Sequence, residues 1–405
     1  MQKRLLIVGG SYAACELAAQ ARESGYAEDI LIVSDEQDLP YHRPPLSKSF
    51  LKDVNEELMP LRAEAFYRDK KIDVELGTRV VSIDGNSNRA RLSNDVVVTF
   101  DTLALATGAR ARVLPGLEAC PSNVHYVRNV ADARNLRSTI QTAERVVIIG
   151  AGFIGLEVAS ALARQGKKVT VVEAADRVLA RAVSPVLSKL LTEIHLDNGV
   201  TLLTSRMVRP IVGPTGLVNR IEVDDGSVLS ADLVVVGVGS EANLDLARQL
   251  ELDVRNGIVV NNRSRTSRDN VYAAGDCATF NGPFNPTGIR LESVQNAMDQ
   301  ARVAGDAIAG GNKVYNAVPW FWSDQYEFKV QIAGLSGAGT DWVSRPGDKS
   351  DVSVFHFRDG ICVCVESVNR PRDHMAARRL LASNKQITLT SLQAVDFNLP
   401  ELLKT

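Results

Sequence analysis

Short apolar runs and apolar residues at helical spacing alternate along this chain, and glycine pairs separate them. The run Arg4 to Val8 stops at Gly9-Gly10 and gives way, from about Ala13 to Glu23, to a helical pattern. A second run, Ile30 to Val33, ends at Ser34-Asp35-Glu36. These segments predict a strand, a glycine turn, a helix and a second parallel strand. The pattern recurs further on. Arg145 to Ile149 predicts a strand, Gly150-Ala151-Gly152-Phe153-Ile154-Gly155 a turn, and the following residues a helix to Arg164. The next strand, Lys168 to Val172, ends at Glu173.

Between the two repeats, Val96 to Phe100 and Thr102 to Ala106 read as strands, the second running into Thr107-Gly108-Ala109. Pro115-Gly116 marks a turn. Leu233 to Val236 reads as a buried strand leading into Gly237-Val238-Gly239, and Glu292 to Ala309 predicts a helix stopped by Gly310-Gly311. From Trp320 onward aromatic residues cluster and alternating strands follow, Val352 to Phe357 and Ile361 to Ser367. The fold class expected is α/β, with two Rossmann-like dinucleotide-binding domains and a separate C-terminal α+β domain.

A chain of 405 residues is too long for one ordinary domain, and 45% hydrophobic against 23% charged residues is a globular balance. Lys and Arg number 46 against 48 Asp and Glu, so no global basic field points to nucleic acid. No apolar run approaches the roughly 18 residues of a membrane span, and none is long enough for a secretory segment. The five cysteines, Cys15, Cys120, Cys277, Cys362 and Cys364, are scattered without a C-x-x-C, which suits a reducing compartment. A soluble cytoplasmic monomer is expected, with no nucleic acid or membrane partner. Cys362 and Cys364 alternate on one strand, but no second pair completes a metal site, and His42, His125, His195, His356 and His374 are dispersed. No metal is expected.

The chemistry lies in the two turns. In such a turn the first glycine permits the bend, the second lets the backbone approach a pyrophosphate, and the third lets helix and strand pack closely. The helix N-terminus offers free N–H groups and a positive dipole end to the phosphates. Gly150, Gly152 and Gly155 meet all three requirements, with Phe153 and Ile154 inside the turn. Glu173, closing the next strand, is placed to accept from a ribose 2′-OH, and the acidic-before-basic run after it favours NADH over NADPH. The first turn keeps Gly9 and has Ala14 in the third place, but Ser11 stands where the middle glycine belongs. Its Cβ crowds the pyrophosphate, while its hydroxyl can donate to a phosphate oxygen. Asp35 or Glu36 is expected on the ribose.

Two dinucleotide units in one chain resemble the two-dinucleotide flavoproteins. Thr107-Gly108 resembles their crossing out of the FAD domain, and Thr266 to Asp276 (T-S-R-D-N-V-Y-A-A-G-D) their second FAD motif. Three further segments resemble the ferredoxin reductases that serve bacterial oxygenases and cytochromes P450. They are Pro40 to Lys48 (P-Y-H-R-P-P-L-S-K), Arg290 to Ala297 (R-L-E-S-V-Q-N-A) and Val318 to Gln325 (V-P-W-F-W-S-D-Q). The resemblance implies FAD and NADH as cofactors and a [2Fe-2S] ferredoxin as partner. A rubredoxin reductase, or a flavin-bound signalling protein like the apoptosis-inducing factors, are the alternatives.

The resemblance also implies an FAD domain from residues 1–110 and 242–318, an NAD domain over 111–241, and the C-terminal domain over 319–405. FAD would be held by Gly9, Ser11, Ala14, Asp35, Glu36, Arg43, Lys48, Thr107, Gly108, Asp276, Glu292, Ser293, Val294 and Trp320. NADH would be held by Gly150, Gly152, Phe153, Ile154, Glu157, Glu173 and Gly239. Lys48, paired with Glu157, and Trp320 would act at the flavin ring. No redox cysteine stands in the loop around Arg43 to Lys48, unlike the disulfide reductases, and Cys15 reads as a small buried residue. An acidic ferredoxin would be steered by nearby cations, with Arg290, Arg302, Lys329 and Arg345 as candidates, each of them expected to be solvent-exposed.

Overall fold

The computed structural model describes residues 3–53, 55–119, 121–282, 284–347, 350–383, 385–392 and 398–403, so Cys120 lies outside the described residues. The elements that matter for function begin with β1 (Arg4–Val8), α1 (Tyr12–Glu23), β2 (Asp29–Val33), β3 (Ile72–Glu75) and β4 (Thr102–Leu105). Then come β5 (Arg145–Ile149), α2 (Phe153–Ala163), β6 (Lys168–Val172), α3 (Pro185–Asp197), β7 (Thr201–Leu203) and β8 (Leu233–Val236). They are followed by β9 (Val271–Ala273), α4 (Val294–Ile308), β10 (Trp320–Gln325), β11 (Phe328–Gly334) and β12 (Asp341–Pro346). The last are β13 (Val352–Arg358), β14 (Ile361–Val368) and α5 (Pro371–Leu381).

The first of two units comprises Met1–His42, Leu58–Arg110 and Glu241–Pro319. Its sheet runs in the order β9-β4-β1-β2-β3, all parallel, with Leu5 facing Ile30 on one side and Thr102 on the other. A parallel sheet is covered on both faces, and the sequence of β1 is accordingly apolar at consecutive positions. Leu5 and Ile7 pack with α1 and α4, while Leu6 and Val8 pack with a small antiparallel sheet at Val80–Asp84, Arg89–Leu92 and Val97–Thr99. Helices α1 and α4 approach so closely that a Cβ at Gly305 would press on the backbone of Leu17 and Ala21. The strand order reverses between β1 and β4, which opens a crevice at their carboxyl ends.

The second unit comprises Arg43–Glu57, Ala111–Ser240 and Trp320–Thr405. Its parallel sheet, β7-β6-β5-β8 and the short strand Val124–His125, reverses between β5 and β8 in the same way. The C-terminal residues form an antiparallel sheet, β10-β11-β14-β13-β12, with α5 packed on one face through Ala376, Ala377 and Leu380. Its other face carries Val330, Ile332, Val354 and Val368, which enter one continuous core with Val146, Leu156 and Leu187 of the middle domain. The C-terminal α+β arrangement expected from the sequence is present, and the second face of its sheet shares this core. A sheet apolar on both faces needs a cover for each, and α5 supplies only one. Residues 43–57 join the same unit, with Leu51 in its core. The helix expected from Glu292 starts at Val294, because Ser293 is its cap and accepts from the Asn296 N–H at 3.1 Å.

Candidate functional site

In the first unit the site begins where β1 ends. Gly9 has φ +119°, a region closed to side chains, and a Cβ there would run into the Ala106 carbonyl beyond β4. Glycine is what lets the two strand ends close on each other. Ser11 is the N-cap of α1 at φ −138°, ψ −161°, extended backbone that any residue adopts. At the matching position of the second unit, Gly152, an added Cβ would meet nothing nearer than the Gly237 carbonyl at 4.0 Å. A turn of this shape therefore has room for a Cβ at this place. Ala14, in the third place, is fully buried against the sheet. The first turn of α1 carries no acidic side chain, so its dipole end faces a ligand unopposed.

A cavity of about 250 Å³ opens at these strand ends, lined among others by Gly9, Asp35, Thr78, Arg79, Thr107 and Asn243. Of the two candidates for a ribose, Asp35 lines this cavity and lies 3.5 Å from Arg79. Glu36 instead accepts a hydrogen bond from the Tyr41 hydroxyl. Thr107 and Gly108 (φ +63°) are locked to Asn243: Thr107 Oγ1 donates to its carbonyl at 3.0 Å, and its Nδ2 donates to the Thr107 carbonyl at 2.7 Å. Asp276 follows Gly275, which at φ +83° lies against Ala13 and Ala297, at the start of α1 and α4. A cavity at the switch point, a glycine where a Cβ would fill the crevice, and two helix N-termini fit a dinucleotide such as FAD.

Arg290 is buried, contrary to its expected exposure, and so drops out of the set of docking cations. Its Nη1 donates to the Asp276 carbonyl at 2.8 Å, and its Nη2 lies 2.6 Å from Glu292. The guanidinium thus ties two of the quoted flavoprotein segments together. Of the other candidates, Lys329 is exposed, Arg302 pairs with Glu16 at 2.7 Å and Asp299 at 3.0 Å, and Arg345 donates to the Leu392 carbonyl.

In the second unit Gly150 (φ +103°) stands against the Gly237 carbonyl beyond β8, and Gly155 against the Gly150 carbonyl. Phe153 packs on Phe321 with ring centroids 4.5 Å apart. Ile154 is 42% exposed, a large apolar side chain left at the mouth of the turn. Gly239 (φ +104°) is exposed, with open space where a Cβ would stand. The carboxylate of Glu173 accepts from the Ala151 N–H at 2.6 Å and the Ala175 N–H at 2.8 Å, which pins a negative charge beside the glycine turn. Arg177 donates to the backbone carbonyls of Ala180 at 2.7 Å and Val183 at 3.0 Å.

Lys48 Nζ lies 2.8 Å from Glu157, whose side chain is only 3% exposed. Arg43 reaches the Arg128 carbonyl at 2.9 Å. Trp320 opens β10, with the Arg378 guanidinium 4.1 Å above its ring, Trp322 at 5.6 Å and the edge of His374 at 5.9 Å. His374 is 1% exposed, and neither ring nitrogen has a hydrogen-bond partner among the described residues. Burial, with Arg378 adding to it, pushes its pKa from 6.5 down to about 4. The neutral ring is the folded form, so the unfolded chain binds the extra proton first on acidification. Stability contributed by this site is complete above pH 6.5 and is lost as the pH falls toward about 4. His374→Leu is expected to flatten that part of the curve of urea midpoint against pH; an unchanged slope would refute the assignment.

Ser47 and Ser323, which both donate to Glu157, carried no periodic signal, although each lies inside a quoted segment. Asn243 and Arg79 were equally silent in the sequence. The Cys15 thiol accepts from the Tyr67 hydroxyl at 3.3 Å, and burial raises its pKa, which makes it a poor redox nucleophile. Cys277, Cys362 and Cys364 are buried and unpaired. Among the described residues no group of three or more His, Cys, Asp or Glu side chains could hold a metal, and no helix is long and apolar enough to cross a membrane.

Residues 3–301 match the family model of the pyridine nucleotide-disulphide oxidoreductases, and residues 320–403 match the reductase C-terminal domain. The chain is 43% identical to rhodocoxin reductase of Rhodococcus erythropolis over 98% of its own length and 93% of the relative's. It is 38% identical to a ferredoxin–NAD(P)(+) reductase of a Sphingomonas species, over 95% and 94%. Among solved structures, putidaredoxin reductase in its covalent complex with putidaredoxin superposes with a TM-score of 0.94 at 34% identity, covering 99% of this chain and 98% of that one.

Proposed function

The chain belongs to the pyridine nucleotide-disulphide oxidoreductase family, and from that premise we propose that it is an NADH-dependent ferredoxin reductase serving an oxygenase or cytochrome P450. The observation that carries the reading is the pair of matching crevices, one in each unit, where Gly9 and Gly150 let strand ends close beneath a helix N-terminus. The first takes FAD and the second NADH. FAD held in the first crevice would supply two-electron acceptance from NADH and one-electron donation to a [2Fe-2S] ferredoxin.

The protein binds, orients and balances charge. Backbone N–H groups after Gly9, Ser11 and Ala14 take the pyrophosphate of FAD, and Asp35 its ribose. Asp276, Glu292, Ser293 and Val294 bring the N-terminus of α4 to the ring, where the helix dipole offsets negative charge. Gly150, Gly152, Phe153, Ile154 and Gly239 cradle NADH, and Glu173 accepts from its ribose. Arg43, Thr107 and Gly108 complete the flavin-binding set. Lys48, held by Glu157, would supply an ammonium and Trp320 an aromatic face, the roles that the resemblance to the ferredoxin reductases implies for them. The protein works in the cytoplasm as a monomer; the four cysteines among the described residues are buried and unpaired, which suits a reducing compartment.

The test is an anaerobic titration of the purified yellow protein with NADH and, separately, with NADPH. Prompt bleaching by NADH is expected, with a preference over NADPH on the order of 100-fold, because Glu173 opposes a 2′-phosphate. Glu173→Ala is expected to narrow that preference to within about tenfold. A protein that binds no flavin, or that neither nucleotide reduces, would overturn the reading. Single-electron turnover with a [2Fe-2S] ferredoxin, and not with a rubredoxin, completes the assignment.

A further inference from the structure

Two of the three segments that resemble the ferredoxin reductases contain serines whose hydroxyls converge on Glu157. Ser47 Oγ donates to Oε2 of the carboxylate, the oxygen that also faces Lys48 Nζ at 2.8 Å. Ser323 Oγ donates to Oε1 at 2.6 Å. Both serines and Glu157 are buried. A carboxylate taken out of water needs a donor for each oxygen, and here every donor comes from the protein.

The orientation of the network beyond Glu157 follows from hydrogen-bond chemistry. A carboxylate paired with an ammonium only accepts, so the Ser323 hydroxyl must spend its hydrogen on Glu157. The lone pair left on Ser323 Oγ faces Gln325 Nε2 at 3.2 Å, which makes Gln325 the donor. The Gln325 Oε1 then points at His195 Nε2, 3.0 Å away, so that nitrogen carries the hydrogen. His195 Nδ1 is left as an acceptor, and the Tyr326 hydroxyl stands 3.3 Å from it. Burial pushes the His195 pKa below its ordinary value, in keeping with a neutral ring. Four hydrogen bonds in series, from Tyr326 through His195, Gln325 and Ser323, therefore all point toward Glu157. The Tyr326 N–H also donates to Ser160 Oγ at 2.7 Å, one turn beyond Glu157, so β10 and the turn that follows it are each fastened to α2. Such a series polarises in one direction and strengthens its last bond.

We propose that Ser323 and Ser47 are positioning residues for the reductase. They hold Glu157 in the one conformation that seats the Lys48 ammonium, and Gln325 and His195 hold the Ser323 hydroxyl in its donating orientation. The proposal rests on the reading above only for what Lys48 does at the flavin; how Lys48 is held stands apart from it.

The experiment is competitive acetylation of the FAD-loaded full chain, with Lys48 labelling read by mass spectrometry against the exposed Lys189. Glu157→Gln frees the ammonium and sets the upper limit. Ser323→Ala and Ser47→Ala are each expected to raise Lys48 labelling on the order of threefold, a part of what one charge-assisted hydrogen bond is worth. Ser323→Ala placed in the Glu157→Gln background should add nothing, because the route to Lys48 is already cut. In parallel, stopped-flow reduction by NADH should slow on the order of tenfold in both serine variants. Unchanged Lys48 labelling in both serine variants, or full additivity with Glu157→Gln, overturns the proposal. Should Ser323→Ala fail to fold, Ser47→Ala decides alone. Failure of NADH to reduce the wild-type flavin would sink the reductase reading and leave the labelling result standing.

Discussion

Gly9→Ala is expected to purify without its flavin. At φ +119° an L-residue is strained by about 1–3 kcal/mol, and here the added methyl also meets the Ala106 carbonyl. Relief requires the end of β1 to draw away from β4, which opens the crevice that the pyrophosphate must bridge. An affinity loss on the order of 100-fold follows from about 3 kcal/mol at the ligand. Gly25→Ala is the control. It too sits at positive φ, +92°, but has no heavy atom within 4 Å of the added Cβ, so it carries the backbone strain without the collision. Flavin content per protein, measured after gel filtration, should fall for Gly9→Ala and hold for Gly25→Ala. Equal flavin content in both would show that the close approach of the strand ends is not what holds the cofactor.

Glu366→Ala is expected to cause the largest loss of stability in the second unit. Glu366 is 0% exposed on β14, with Oε1 accepting from the Ser184 N–H at 2.9 Å and Oε2 from the Ser184 hydroxyl at 2.6 Å. His356 Nε2 lies 3.0 Å from Oε1. Ser184 is the N-cap of α3, so the carboxylate also faces the positive end of a helix. Truncation leaves the two Ser184 donors buried without an acceptor, and opens a void in a packed sheet. A cost of about 3–5 kcal/mol is in the range found when one member of a buried polar pair is removed. Urea unfolding followed by fluorescence measures it. Glu366→Gln keeps the shape and one carbonyl oxygen, and should lose distinctly less. A loss under about 1 kcal/mol for Glu366→Ala would mean that the network contributes no more than an exposed pair.

Much of this protein was legible in its sequence because the relevant signals are local. An apolar run on both faces, a glycine pair and a helical period sit within about thirty residues, the span of one βαβ unit. That is why β1, α1 and β2, and again β5, α2 and β6, were readable with their turns. The need for glycine at residues 9 and 150 is also local in cause, since a positive φ excludes other residues. The three distinctive segments pointed to a ferredoxin reductase, and the 43% identity to rhodocoxin reductase agrees.

Other features depend on atoms far apart in the chain. Arg290 looked like a surface cation, because nothing in its neighbours shows that Asp276 and Glu292 would enclose it. Asp35 and Glu36 were equivalent by position; Tyr41 engages Glu36, and Arg79 stands with Asp35 at the cavity. The α+β texture of residues 320–405 is readable in the sequence, but not that one face of their sheet completes a core begun near residue 146. Glu157 was identified, but not the serines 110 positions before it and 166 after it that satisfy its two oxygens. The sequence by itself determined the elements and the backbone conformations, through steric exclusion and hydrophobic period over a few residues. Only the tertiary structure decided which charges are buried, paired and oriented, because desolvation and hydrogen bonding act between groups brought together by folding.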